Sequence, residues 1–209
     1  YTRWNNSAIG VSAKEDFRNE MNNFGYIVEL DPYKPTQALR KRTALGRMGH
    51  ENVTFAKAIP GQAIVGYMGD DARGEYIYKF VSSALWVASD AHVEDKLAVG
   101  DKYLDKGTLY VAKFKDDGSG EWIELSMKNP VVASYPYFEF KSEADIAIFT
   151  RIAADAVGAT RMDRPEWGSV NPRNGEVYFT LTNNSSRAID GEVSVDAANP
   201  RTYRDMKGN

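Results

Sequence analysis

Three short charged segments hold the side chains best suited to chemistry. Gly49-His50-Glu51-Asn52 sets an imidazole and a carboxylate just ahead of a strand-like run. Met68-Gly69-Asp70-Asp71-Ala72-Arg73-Gly74-Glu75-Tyr76 gathers Asp70, Asp71 and Glu75 around a glycine-permitted turn. Hard cations such as calcium need several oxygen ligands at once, and clustered acids with free backbone carbonyls supply them. Thr160-Arg161-Met162-Asp163-Arg164-Pro165-Glu166-Trp167 mixes acids and arginines around a stiffening proline. Carboxylates hold metals and a guanidinium fork binds phosphate oxygens in pairs, so this mixture suits phosphoryl chemistry. Each segment also has a plainer reading. His50 can be a satisfied, partly buried imidazole, and Glu51 a solvated carboxylate at a strand edge. The aspartates of the second segment can close a hairpin through Asx turns. The third segment can be a surface ion-pair network.

The elements that must position these segments are mostly strands. Gly25 to Leu30 is β-branched and aromatic and is closed by Asp31-Pro32. Asn52 to Ile59, Ala63 to Met68 and Glu75 to Val81 read as a meander of three strands, broken by Pro60-Gly61 and by the polar stretch from Gly69 to Gly74. In the third run Tyr76, Tyr78 and Phe80 alternate with Ile77 and Val81, so the sheet is expected to be covered on both faces. Thr108 to Phe114 and Glu121 to Leu125 predict a hairpin through Asp116-Asp117-Gly118-Ser119-Gly120, and Gly175 to Thr182 predicts a last strand. One amphipathic helix is predicted over 143–157. Phe149, Ile152, Ala153 and Ala156 recur at helical spacing, Ser142 with Asp145 resembles a capping box, and Gly158 suits a left-handed cap. The basic stretch from Lys34 to Arg47 reads as a solvated loop, and Asn5 to Asn23 as an irregular polar arm.

Composition narrows the classes. The 209 residues carry a formal net charge of -3 with mixed signs and 43% hydrophobic content, as an ordinary folded domain does. No basic field gathers nucleic acid, and no apolar run of about 18 residues offers a membrane span. The absence of cysteine excludes disulfides, thiolate nucleophiles and cysteine-ligated zinc within these residues. The short strands and turn signals suit a sandwich, a barrel or a propeller. At about 40 to 45 residues per propeller blade the chain could supply at most about four or five blades, and its long irregular stretches reduce that to about three to four.

In shared order the segments resemble the PhoX-type alkaline phosphatases, a family of exported, metal-dependent phosphate-scavenging enzymes. The resemblance runs through Gly25-Tyr26-Ile27-Val28-Glu29-Leu30-Asp31-Pro32, Lys41 to Arg47 with His50-Glu51, Tyr67-Met68-Gly69-Asp70-Asp71 and Glu75 to Phe80. It continues through Gly107 to Ala112, Arg161-Met162-Asp163-Arg164-Pro165-Glu166 and Gly175 to Asn184.

The resemblance implies that residues 1–209 form one β-propeller-type domain, a piece of a larger hydrolase that cleaves phosphate monoesters at a calcium and iron cluster. By the same resemblance Glu51 and Glu166 would be iron-linked carboxylates and Arg164 would face the phosphate, the three forming the catalytic set. Asp70, Asp71, Glu75 and Asp163 are the calcium candidates, from clustering as much as from resemblance, and His50 would orient its neighbour without being a ligand. The family's iron site also uses a cysteine from an earlier part of the chain, and this sequence has none. The family implies a periplasmic or extracellular location, and open strand edges favour a second copy of the chain as partner. Two other readings stay open: a non-catalytic calcium-stabilised propeller module, and hydrolysis of another ester or lactone.

Overall fold

β-branched and aromatic runs separated by glycine and proline become an antiparallel meander, and this meander organises the chain. The computed structural model describes residues 9–12, 15, 16, 18, 20–185, 187, 195, 196, 198 and 199. Much of the expected polar arm, at 5–8, 13, 14, 17 and 19, lies outside them. In chain order the elements are β1 (Ile27–Glu29), β2 (Arg40–Arg42), β3 (His50–Phe55), β4 (Ala63–Asp70), β5 (Ile77–Leu85), α1 (Lys96–Leu104), β6 (Gly107–Phe114) and β7 (Gly120–Leu125). Then follow α2 (Pro130–Ala133), α3 (Glu143–Ile148), α4 (Thr150–Ala156), β8 (Pro165–Val170) and β9 (Val177–Leu181). Strands β3 to β7 form one five-stranded sheet in sequence order, while β1-β2 and β8-β9 are separate pairs. Every pairing is antiparallel, and none of the described sheets closes into a barrel.

The alternation read in the third run is the core of the molecule. Tyr76, Tyr78 and Phe80 are buried with Met68, Leu109, Val111 and Leu125, and α3 and α4 bring Ile146, Ala153 and Ala154 to the same cluster. On the opposite face Ile77 and Ala112 are buried with Met162, packed beside Phe179 and Leu181. Both faces of β5 are therefore covered, which is why its residues show no polar side.

Three expectations need correcting. The helix over 143–157 is two helices, broken at Phe149 (φ -109°, ψ 43°). The carbonyls freed at the break are met from two sides: from outside, the Arg47 N–H donates to the Ala147 carbonyl at 2.8 Å, and from α4 itself the Thr150 hydroxyl donates to the Ile146 and Ala147 carbonyls. The flanking signals held, since the Ser142 side chain accepts from the Asp145 N–H and Gly158 has φ +61°. The basic stretch is a largely exposed loop only as far as Leu39; Arg40–Arg42 then form β2, and Arg42 is fully buried, donating to Glu29, Asp101, Asp105 and the Leu97 carbonyl. Finally, β4 runs on through Asp70, so Gly69 lies in the strand rather than in the polar break, and the glycine-permitted turn is made at Gly74, with φ +79°.

Candidate active site

The three charged segments meet where β8 crosses β3 and β4. In the β3–β4 register His50 faces Asp70, and the ladder is irregular between His50 and Val53, which is where Glu51 and Asn52 sit. The Gly49 N–H donates to Asp70 Oδ1 at 2.8 Å, and the Asp71 N–H donates to the Gly49 carbonyl at 2.9 Å. Strand β8 lies so close to β4 that a Cβ on Gly69 would stand 2.5 Å from the carbonyl oxygens of both Pro165 and Glu166. Gly69 thus serves a close backbone approach. Asn52 fixes the other side: its amide donates to the Gly168 carbonyl at 3.1 Å and accepts from the Gly168 N–H at 3.3 Å. A side chain here takes the place of a ladder pair and holds β8 against the strand that carries Glu51.

Arg164 is the hub of the resulting cluster. Its Nη2 lies 2.8 Å from Asp71 Oδ2 and 3.1 Å from Glu166 Oε1, and its Nη1 donates to the Thr182 hydroxyl at 2.9 Å. Thr182 in turn donates to Glu166 Oε1 at 2.8 Å. Asp71 foremost, with Glu166 and Glu51 adding their fields, raises the guanidinium pKa above its ordinary value. Glu51 is exposed at the rim. Arg164 has φ +48°, in the left-handed region that side chains other than glycine rarely occupy. The preceding Asp163 is bridged to Arg73, and the following residue is Pro165, so the neighbours hold this conformation. Asp71 Oδ1 is buried with no hydrogen-bond partner. An unsatisfied carboxylate oxygen is a donor that an oxygen-preferring cation could use, but among the described residues no three acidic or imidazole side chains converge on one ion position.

The remaining candidates are engaged differently. Asp70 is fully buried and gripped by the Arg151 guanidinium, Nε to Oδ2 at 2.7 Å and Nη2 to Oδ1 at 2.7 Å. Glu75 Oε2 stands 3.5 Å from Arg151 Nε. Burial pushes Glu75 up to about 7, with Arg151 opposing and Asp70 and Asp155 adding to the rise. Asp163 is fully buried against Arg187, whose Nε lies 2.5 Å from Oδ1, and accepts from the Asn184 amide at 2.8 Å. His50 Nε2 lies 2.9 Å from the Gly46 carbonyl, which can only accept, so the proton is on Nε2. Burial lowers the His50 pKa, and Nδ1 has no hydrogen-bond partner.

The structure thus brings Asp71, Arg164 and Glu166 together with Glu51 near them, and sets Asp70 with Glu75 on Arg151 and Asp163 on Arg187. Sequence reasoning did not find Arg151, Thr182 or the clamping role of Asn52. Arg151 sits 81 positions from Asp70, and no local pattern pairs them. Thr182 read only as the end of a strand.

The family model described as Alkaline phosphatase PhoX matches residues 1–208. A solved structure, Pseudomonas fluorescens PhoX in complex with vanadate, a transition state analogue, is 42% identical with a TM-score of 0.75. The match covers 94% of this chain and 33% of that one, so the chain spans about a third of that relative's length. No curated protein matches the chain. By the family match along nearly its whole length, the chain belongs to the PhoX alkaline phosphatase family.

Proposed function

We propose that this chain is the part of a phosphate-monoester hydrolase that presents Arg164 to the phosphoryl group. Glu51, Glu166 and Asp71 are its contribution to a calcium- and iron-containing centre. The observation that carries the reading is the convergence of Arg164, Asp71 and Glu166 within 3.1 Å at a strained backbone position, in a chain of this family. The donors assigned here are carboxylate oxygens, and the chain has no cysteine to add a thiolate. They suit calcium and equally a hard iron centre. Among the described residues no three His, Asp or Glu side chains converge on one ion position. Calcium takes about 6 to 8 oxygens, so in this reading other parts of the full-length protein complete the sphere.

When bound, such metals polarise a phosphoryl oxygen and supply an activated oxygen nucleophile. This chain's residues do the rest. Arg164 offers two nitrogens to the phosphoryl oxygens, where negative charge develops in the transition state. In the structure Nη2 of the same guanidinium neutralises Asp71 and Glu166 while Nη1 rests on Thr182, so a cation held by these carboxylates would compete with Nη2 and would leave it available to a phosphoryl oxygen. The Asp70–Arg151 and Asp163–Arg187 pairs fix the two backbone segments that carry Asp71 and Arg164. We take the three sheets as parts of propeller blades, the two-stranded ones completed by strands elsewhere in the protein. The location is periplasmic or extracellular in this reading, and no described helix is long and apolar enough to cross a membrane.

The test uses the complete protein carrying this chain, assayed with p-nitrophenyl phosphate at alkaline pH with calcium, its metals measured by elemental analysis. Hydrolysis inhibited by orthovanadate, with calcium and iron bound, is expected. Glu51→Ala and Glu166→Ala should each abolish turnover while the protein still unfolds cooperatively. Near-normal turnover in both variants would remove them from the site. Calcium bound without any hydrolysis would make the centre structural.

A further inference from the structure

We infer that Thr182 is a positioning residue of this site, its hydroxyl holding the Arg164 guanidinium and the Glu166 carboxylate in one fixed relation. The inference rests on the phosphatase reading above and adds a residue to it. A guanidinium can only donate and an ionised carboxylate only accept, so the two contacts have defined directions. Arg164 Nη1 donates to the hydroxyl at 2.9 Å, and the hydroxyl donates to Glu166 Oε1 at 2.8 Å. The hydroxyl therefore works as a spacer between an anion-binding group and a metal-binding one. Arg164 Nη2 also reaches Oε1 at 3.1 Å, which closes a small ring of Arg164, Thr182 and Glu166.

The spacer stands on a rigid base. Thr182 directly follows β9, whose Leu181 is in register with Pro165 of β8. The Thr182 N–H donates to the carbonyl of Asp163 at 2.9 Å, and Asp163 is the buried partner of Arg187. The residue that aims Arg164 is thus tied to the backbone on which Arg164 itself is strained. A β-branched side chain adds stiffness at χ1, so the oxygen is held in place. Without it, a flexible arginine and a flexible glutamate keep one direct contact and lose the angle between them.

The test compares Thr182→Val, which keeps shape and removes the hydroxyl, with Thr182→Ser, which keeps the hydroxyl, in the complete metal-loaded protein. Hydrogen bonds to charged groups imply a loss of about 10- to 100-fold in kcat/KM for Thr182→Val. Orthophosphate binding per folded molecule, measured by calorimetry, should weaken about tenfold by the same reasoning. Thr182→Ser should stay within about threefold of wild type. If the valine variant does not fold, Thr182→Ala, which adds no bulk, takes its place. A merely structural role would lower Tm and leave phosphate affinity per folded molecule intact, and that result overturns the inference. Valine and serine variants that behave alike overturn it too. A wild-type protein that neither hydrolyses phosphate monoesters nor binds orthophosphate removes the phosphatase reading and the inference with it. An active wild type with an equally active Thr182→Val removes only the role of Thr182.

Discussion

Arg151 lays two nitrogens of its guanidinium on the two oxygens of Asp70, Nε on Oδ2 and Nη2 on Oδ1, each at 2.7 Å. This pair joins α4 to the end of β4, beside the residue that reaches Arg164. Asp70 is fully buried, while the Arg151 side chain is 42% exposed, so water screens only one partner. The charged hydrogen bonds to Asp70 hold the arginine pKa above its ordinary value. Arg151→Ala leaves the Gly49 N–H as a remaining donor to a buried charge and should cost about 3 kcal/mol, the low end for breaking a buried pair. Adding Asp70→Asn removes the stranded charge, so the double variant should be more stable than the sum of the single losses. Urea unfolding of the four proteins measures this, and strict additivity would show that the two residues do not act as a pair.

Glu75 gives the fold a pH dependence with a definite sign. Its pKa rises from 4.5 to about 7, chiefly through burial. Below the unfolded value the carboxyl is protonated in both states and carries no penalty. As pH rises through about 7 the folded protein must ionise a buried acid, and the stability contributed by the protonated form is lost. Glu75→Gln should match wild type near the unfolded pKa and exceed it by about 1–3 kcal/mol in the alkaline range. Parallel stability curves for the two proteins would refute this. A loss seen only in the variant and only with calcium present would put Glu75 on an ion instead.

The crossing of β8 over β3 and β4 depends on two residues without chemistry of their own. Asn52→Ala removes both bonds to Gly168 and should cost about 1–2 kcal/mol in stability. Its larger effect should be on turnover, because Glu51 and Glu166 are then no longer held in register. Gly69→Ala places a methyl 2.5 Å from two backbone oxygens that no side-chain rotation can clear. It should displace β8 and lower activity at least as far as Asn52→Ala. Hydrogen exchange at the β8 amides reports the displacement directly, and unchanged protection in both variants would disprove the crossing as described.

Much of the scaffold was legible because its signals are local. The alternation of Tyr76, Tyr78 and Phe80 with Ile77, the hairpin at Gly118 and the cap at Ser142 each follow from neighbours in sequence. The three charged segments were legible too, since glycine, proline and clustered acids stand out. The partners inside them were not. Pairing Asp71 with Arg164, rather than grouping it with Asp70, depends on a contact 93 positions apart. Strand β8 was missed because charges and Pro165 mask its pattern. Helix α1 was missed because a glycine interrupts a weak apolar stripe of Leu97 and Tyr103. Arg42 reads as one more surface charge until Asp101 and Asp105 are brought beside it by that same helix.

Gly100 tests whether the buried Arg42 network is rigid. Within a helix, glycine to alanine normally stabilises by about 1 kcal/mol, and α1 has ordinary helical signals, with the Asp95 side chain accepting the Ala98 N–H. Here an added Cβ would stand 2.3 Å from Arg42 Nη2 and 2.3 Å from Glu29 Oε2. Both atoms are the ends of flexible side chains, which elsewhere would simply swing aside. Arg42 cannot do so freely, because it is fully buried and its nitrogens already serve Asp101, Asp105 and the Leu97 carbonyl. Moving it would pull a fully buried charge away from its partners, and the cost of an unpaired buried charge exceeds the helix-propensity gain. Gly100→Ala should therefore lower stability by about 1–3 kcal/mol, reversing the usual sign. The urea midpoint decides it: a stabilised Gly100→Ala protein would mean that the Arg42 cluster yields, and that α1 is held to β1 and β2 by packing rather than by this arginine.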